Sequence, residues 1–390
     1  MLIDKINILN TFLNRIFIIV LIILLLYIYN RLKYQFWSRQ PVFHYHNLWY
    51  WLIPPGIIQH EKPKKNKYYN SLIQFDSFDK LKTEKKALFS SFIKSHFSPH
   101  KREKYSPTNK SISDNFMNHI DKSFISLFFK KTHNGNILVS TMTTKPLECK
   151  INNNDIKLHY VDFLCVHNNK RKQGIAPETI YSHYYNHRLL HKNTIFLFKR
   201  EGDSTFIVPL SAYKNYGFDI TYWRENVEFD QPYIKTELIN GSSINIIIDI
   251  LLKLEESFEC VIKPNINHIK YFCDTDNLYI YSVLINNTPV CLYFYRNTHT
   301  TYDGKKSMEL IGSYSNTSDD IFLLGFFSSL SKLKKISPIK ILFIENISNN
   351  NIILKRVLTR HIPFAETNAS YYFYNFAHHP YKSTNLFILN

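Results

Sequence analysis

The sequence predicts a mixed α/β protein built from two similar units behind an apolar N-terminal helix. Three observations carry this. Strand-like runs are separated by polar turns, and each series leads into a helix and a further strand. That order of elements occurs twice, once before residue 200 and again after residue 278, although the halves share no visible sequence identity. Residues 16–30 form an uncharged run between Arg15 and Arg31. With 390 residues, 30 Phe, 27 Tyr and only 9 Gly, the chain can bury a large core, which excludes wholesale disorder and collagen-like architectures.

The apolar run is the first element. Fifteen residues rise only about 22 Å as a helix, short of a ~30 Å hydrocarbon core. Ile6, Ile8, Leu9, Phe12 and Leu13 extend it upstream, and no small-residue cleavage site follows Asn30, so residues 1–31 read as an uncleaved membrane anchor. Arg31, Lys33 and Arg39 outnumber Lys5 and Arg15, which places the main domain on the cytosolic side. Cys149, Cys165, Cys260, Cys273 and Cys291 lack CxxC or zinc-ligand spacing, which fits a reducing compartment and shows no readable metal site.

Further along, residues 78–97 read as an amphipathic helix and residues 123–132 as a strand. A hairpin turn at 133–136 leads to its partner strand, and residues 156–166 are a third strand. A polar loop over 168–174 opens a helix at 175–190, and 194–198 is a strand. Within Ser211 to Phe218, Gly217 suits a helix C-cap with Phe218 packing back. In the second half, strands are read at 278–285, 290–296, 308–314, 339–347 and 371–376, and helices at 321–336 and 350–359.

The net charge of +17 favours an anionic partner. Nucleic acid is set aside because the aromatics follow core periodicity and no binding module accompanies the charge. The loop Arg171-Lys172-Gln173-Gly174-Ile175-Ala176 is better placed. A polar loop that enters a helix after a strand gathers backbone N–H groups at the positive end of the helix dipole, which makes an anion site. It is neither a Walker loop nor a GxGxxG turn. Its R-x-x-G-x-A pattern resembles the pyrophosphate loop of the GNAT superfamily of N-acyltransferases.

Reading outward, Asp162-Phe163-Leu164-Cys165-Val166-His167 with Ile175-Ala176-Pro177 resembles the signature block of the N-myristoyltransferases, a two-lobed GNAT-like family. Tyr34-Gln35-Phe36-Trp37-Ser38-Arg39-Gln40-Pro41-Val42 resembles that family's acyl-CoA clasp. Leu138-Val139 and Pro146 resemble the strand before the signature, and Tyr371-Tyr372-Phe373-Tyr374-Asn375-Phe376 the last strand before the terminus.

The resemblance implies tandem GNAT-like lobes with mixed sheets, an acyl-CoA-binding lobe over 32–220 and a peptide-binding lobe over 221–390. It implies transfer of a myristoyl group from myristoyl-CoA to the N-terminal glycine of a protein, without a metal. Gln35, Phe36, Trp37, Phe163, Leu164, Cys165, Val166, Arg171, Lys172, Gly174, Ile175 and Ala176 would bind the acyl-CoA. The N–H groups of Phe163 and Leu164 would hold the oxyanion, and the terminal carboxylate of Asn390 would serve as base. Alternatives are an inactive acyl-CoA or peptide binder, or a GNAT-like enzyme with another acyl chain or a lysine acceptor.

Several residues depart from the family. Asp162 stands where Asn is usual, Lys199-Arg200-Glu201-Gly202 replaces a Thr-Ala-Gly segment, and Gln173-Gly174 replaces a Lys-Arg pair. Pro99-His100-Lys101-Arg102-Glu103-Lys104 occupies the place of an acidic peptide-contacting loop, which suggests a neutral or acidic acceptor peptide.

Overall fold

The computed structural model describes residues 2–97, 103–133, 135–202, 205–223 and 227–390. Helix α1 (Leu2–Lys33) leads into a mixed α/β body. It is longer than the uncharged run alone, because a helix already under way passes through Arg15 without a break. The stretch Phe12–Lys33 has 22 residues, about 33 Å of rise, and its described side chains are exposed. Among the described residues it is the one helix long and apolar enough to cross a membrane.

The first half runs β1 (Ile73–Ser77), α2 (Thr83–His96), β2 (Phe124–Thr132), β3 (Gly135–Ile151), β4 (Asn154–Val166), α3 (Ile175–Leu190), β5 (Phe196–Glu201) and β6 (Ser211–Asp219). The amphipathic segment starts as a single 3-10 turn, Phe78–Lys80, and becomes α2 only after Lys82. The second half runs β7 (Ile234–Ile239), α4 (Ile248–Ser257), β8 (Cys260–Lys263), α5 (Ile266–Asp274), β9 (Leu278–Ile285), β10 (Thr288–Tyr302) and β11 (Lys305–Ser315). It continues with α6 (Asp319–Ile336), β12 (Ile341–Glu345), α7 (Asn350–Val357), β13 (Ala365–Tyr374) and β14 (Leu386–Ile388). Thus β2-β3-β4-α3-β5-β6 and β9-β10-β11-α6-β12-β13 repeat one plan: hairpins, then a parallel pair bridged by a helix.

The halves share one 15-stranded sheet, whose main path is β14-β8-β3-β4-β5-β13-β6-β12-β11-β10-β9-β7, with β1, β2 and the short strand Glu103–Tyr105 paired off it. Strands cross between them. From the second half, β13 inserts between β5 and β6, while β8 pairs antiparallel with β3 and carries β14 on its outer edge. Helix α6 shows why the second core holds: Phe322, Phe326, Leu330 and Leu333 recur at three to four residues and are buried with Tyr293 and Leu310 of the sheet. Asp319 and Asp320 at its start and Lys334 and Lys335 at its end complement the helix dipole.

One local reading is corrected. Residues 211–218 contain no helix cap; they lie within β6, where Ser211, Tyr213 and Asn215 are buried and alternate with Ala212 and Lys214. Gly217 is there for close approach, since a Cβ would lie 2.8 Å from Cε1 of Phe343 and 3.0 Å from Cζ of Phe364. Gly217→Val is expected to destabilise the protein by about 1–3 kcal/mol through overpacking. The midpoint of urea unfolding at constant slope measures it.

A cavity at the split between two parallel strands

The parallel pair β4 and β5 is joined only at His159–Phe196 and Tyr160–Leu197. Beyond Tyr160 the strands separate, and their diverging ends wall a cavity of about 700 Å³. On one side stand Val161, Asp162, Phe163 and Leu164; on the other, Phe198, Lys199 and Glu201. Trp37, stacked on Phe198 at 5.5 Å between ring centroids, adds an aromatic wall.

A bulge shapes the β4 side. Thr141 pairs with Cys165 and Thr143 with Asp162, so Phe163 and Leu164 together oppose Met142 alone. Phe163 has φ +45°, a left-handed conformation costing a non-glycine residue about 1–3 kcal/mol. Packing holds it there: its ring lies 5.5–6.0 Å from those of Phe89, Phe97 and Phe116. Its N–H donates to Oδ1 of Asp162 at 2.8 Å, while the Asp162 carbonyl accepts from the Thr143 hydroxyl at 2.8 Å.

Of the residues singled out in the sequence, Trp37, Phe163 and Leu164 line the cavity. Gln35 is exposed beside it in sequence, and Phe36 is buried against Trp37 and Tyr68. Cys165 points into the core around α2 with Phe163, Phe89 and Ile93, where burial pushes its thiol up to about 12. Val166 is half-buried at the end of β4.

The loop after β4 makes one 3-10 turn, Asn168–Lys170, and delivers Gly174 as the N-cap of α3 at φ +78°. Apart from its own chain neighbours, no atom lies within 4 Å of where a Gly174 Cβ would be, so the start of α3 stands open. Lys172 is exposed and left-handed, at φ +62°. Arg171 is committed to the fold: Nη2 donates to the His96 carbonyl at 2.6 Å and Nε to that of Val166 at 3.3 Å. Ile175 is buried and Ala176 half-buried. Within the altered loop before β2, residues 99–102 lie outside the described residues. Glu103 and Lys104 belong to the short strand Glu103–Tyr105, which pairs with β10.

The cavity wall carries a charge cluster that the sequence does not reveal. Lys199 Nζ is 2.5 Å from Oε1 of Glu345 and 3.6 Å from Oε1 of Glu309. Arg296 Nη2 donates to Oε2 of Glu309 at 2.5 Å. Its Nη1 reaches Asn390, with Oδ1 at 3.0 Å and the backbone oxygen at 3.3 Å. Burial alone would raise the Glu309 carboxyl, but Lys199 and Arg296 outweigh it and hold it well below the usual range. Asn390 is 7% exposed, at the end of the tail that β14 lays along β8. A signal was present: Arg296, Glu309 and Glu345 each sit at or inside apolar strand runs, where a lone charge needs a partner.

Among the lining residues, the carboxylates of Glu103, Asp162, Glu201 and Glu309 outnumber the cations Lys199 and Arg296. The wall gives no support to the neutral or acidic acceptor peptide suggested by the altered loop.

Behind it, Lys145 is 2% exposed, with Nζ 3.5 Å from Oδ1 of Asn115 and 5.7 Å from the ring centres of Tyr160 and Phe272. Burial lowers its pKa from 10.5 to about 8; Asp162 opposes the shift and Arg296 adds to it. Between those values the unfolded chain holds the extra proton, so this residue's contribution to stability rises with pH from about 8 towards 10.5. Against Lys145→Met, wild type should therefore gain roughly 3 kcal/mol over that window. Paired denaturant titrations at several pH values read the difference.

No protein-family model matches the sequence, and no curated protein matches it in sequence. The fold is another matter. A crystal structure of Saccharomyces cerevisiae N-myristoyltransferase with bound myristoyl-CoA superimposes with TM-score 0.72 at 11% identity, over 91% of this chain and 99% of the other. The chain has the N-myristoyltransferase fold. A second structure of that yeast protein with myristoyl-CoA gives TM-score 0.70 at 12% identity, over 90% of each chain. A third, with myristoyl-CoA and inhibitors, gives 0.69 at 12%. At such identity the N-myristoyltransferase architecture survives through the order of elements and the inward pattern of apolar residues, since packing tolerates wholesale exchange of one hydrophobe for another.

Proposed function

We propose that the protein is a divergent N-myristoyltransferase, transferring a long acyl chain from acyl-CoA to the N-terminal glycine amine of a protein. The observation that carries this is the split β4/β5 cavity with its strained Phe163–Leu164 bulge, in a fold shared with proteins that bind myristoyl-CoA. The pyrophosphate would lie on the open start of α3, against N–H groups of the Gly174, Ile175 and Ala176 turn and near Arg171 and Lys172. Gln35, Phe36 and Trp37 would clasp the acyl-CoA, and Cys165 and Val166 would back the thioester strand. Ile180, Tyr184, Phe196 and Phe198 offer the acyl chain an apolar wall.

In the reaction, the glycine nitrogen attacks the thioester carbonyl. A C–N bond forms, the oxyanion is met by N–H groups of Phe163 and Leu164, and collapse expels the CoA thiolate. An α-amine of pKa ~7.7–8.0 is already partly neutral at pH 7, so a weak base suffices to collect the proton. The Asn390 carboxylate, oriented by Arg296, is that base in this reading. Helix α1 would anchor the protein, with the body on the cytosolic side where Arg31, Lys33 and Arg39 lie.

A second reading, acyl-CoA binding without turnover, is favoured by one contact: the Asp162 carboxylate occupies the Phe163 N–H that the oxyanion needs. One experiment separates the two. The full chain in detergent is incubated with myristoyl-CoA and a peptide beginning with Gly, and peptide mass and free thiol are followed. Matched gain of acyl mass and thiol supports transfer. Saturable binding of myristoyl-CoA with neither product supports the second reading.

A further inference from the structure

Outside α1, exposed apolar side chains concentrate in one short segment of the described surface. Leu48, Trp49, Leu52 and Ile53 are 60–71% exposed, in and just after the five-residue helix Leu48–Leu52. The catalytic reading makes no use of them. The segment is also firmly mounted. Phe43 sits between Tyr50 and Trp51, with ring centroids at 5.7 and 5.0 Å. Trp51 donates from Nε1 to the Tyr45 carbonyl at 3.1 Å, and its own carbonyl lies 2.9 Å from Nε2 of His379. Val208 and Asn375 donate backbone N–H groups to the carbonyls of Phe43 and Pro41, both at 2.7 Å. An apolar surface held this rigidly to the body is not a frayed end.

Its position names the occupant. The Tyr27 and His46 rings meet edge to face with centroids 5.4 Å apart, so the last turns of α1 touch the chain two residues before this segment begins. Arg31 donates to the Tyr27 hydroxyl at 3.0 Å and Lys33 to that of Tyr29 at 2.9 Å. Tyr, Arg and Lys at the end of an apolar helix are the residues that favour the headgroup level of a bilayer. A helix of about 33 Å that crosses the ~30 Å hydrocarbon core brings this end to that level, and Trp49 with it. We propose that Leu48, Trp49, Leu52 and Ile53 enter the same leaflet interface as α1, so that the body meets the membrane at two points. One helix alone leaves the body free to rotate about its axis; a second contact fixes which side faces the lipid.

The test uses the full chain in phosphatidylcholine vesicles, with and without phosphatidylserine, whose acyl chains carry bromine at a shallow depth. Bromine quenches tryptophan only on close approach. The expected result is quenching of wild-type emission that is largely lost in Trp49→Phe, which keeps Trp37, Trp51 and Trp223. Equal quenching in the two proteins overturns the proposal. A Leu48→Cys variant guards against other occupants. An environment-sensitive dye on that cysteine should shift to the blue in vesicles and remain a monomer label. Cross-linking between two copies through Cys at that position also overturns it, by assigning the patch to a second copy. None of these readings depends on acyl transfer, so loss of the catalytic reading leaves the test intact.

Discussion

If the Asn390 carboxylate is the base, extending the chain beyond it by a few residues will cut acyl transfer sharply while leaving myristoyl-CoA binding in place. The expected loss is about 10²–10⁴-fold in kcat, the usual range for a positioned general base. Two features set that expectation. The tail is fixed in depth, because β14 pairs with β8 through Leu386, Phe387 and Ile388, and the Leu389 N–H donates to the Ile262 carbonyl at 2.8 Å. Arg296 then holds Asn390 from the other side while itself lining the cavity. An extension converts the carboxylate into an amide, which accepts a hydrogen bond from Arg296 but takes no proton from an ammonium. Asn390→Gln keeps the terminal carboxylate and should retain most of the rate. Equal activity in the extended and native proteins would refute the assignment, provided that both bind the cofactor equally.

The parts of this site that local sequence reveals are those built from consecutive residues. The helix α3 is read over the residues it occupies, because a polar loop, a left-handed glycine and an apolar period coincide at Gly174 and Ile175. Yet the buried face of that helix holds Thr179, Ser182, His183, His187 and Arg188. Several of its hydroxyl and imidazole groups bond across to the sheet, as in Ser126 to His183 and Ser140 to Thr179, and no pattern of hydrophobicity reports such pairs. Gly217-Phe218 imitates a helix stop, but the deciding fact is the approach of Phe343 and Phe364 from more than 120 residues away. The same holds for Lys199, Arg296, Glu309 and Glu345: Lys199 meets Glu345 across 146 residues, while Arg296 meets Glu309 across 13 and Asn390 across 94. The bulge at Phe163 exists only relative to Met142 on the neighbouring strand. A sequence can show that a strand continues; it takes the partner to show that it slips.

That bulge gives the second large effect. Asp162→Asn is expected to raise kcat, by as much as about 10²-fold. In the wild-type cavity the Phe163 N–H is taken by the Asp162 carboxylate at 2.8 Å. To serve an oxyanion, this donor must give up a charge-assisted bond, and the displaced carboxylate then stands as a like charge beside the developing negative oxygen. Losing one such donor typically costs about 10²–10³-fold in kcat. An asparagine at that place is neutral, a weaker competitor for the N–H, and no source of repulsion. The buried Lys145 ammonium, whose charge Asp162 supports, moderates the gain, because removing the carboxylate further favours the neutral amine. The substitution should therefore raise kcat with little change in KM for the peptide, since the interaction it frees is made only in the transition state. A fall in kcat would mean that the carboxylate takes part in the reaction, most simply by accepting the amine proton. It would transfer the role of base from Asn390 to Asp162, and the chain-extended protein would then keep its activity.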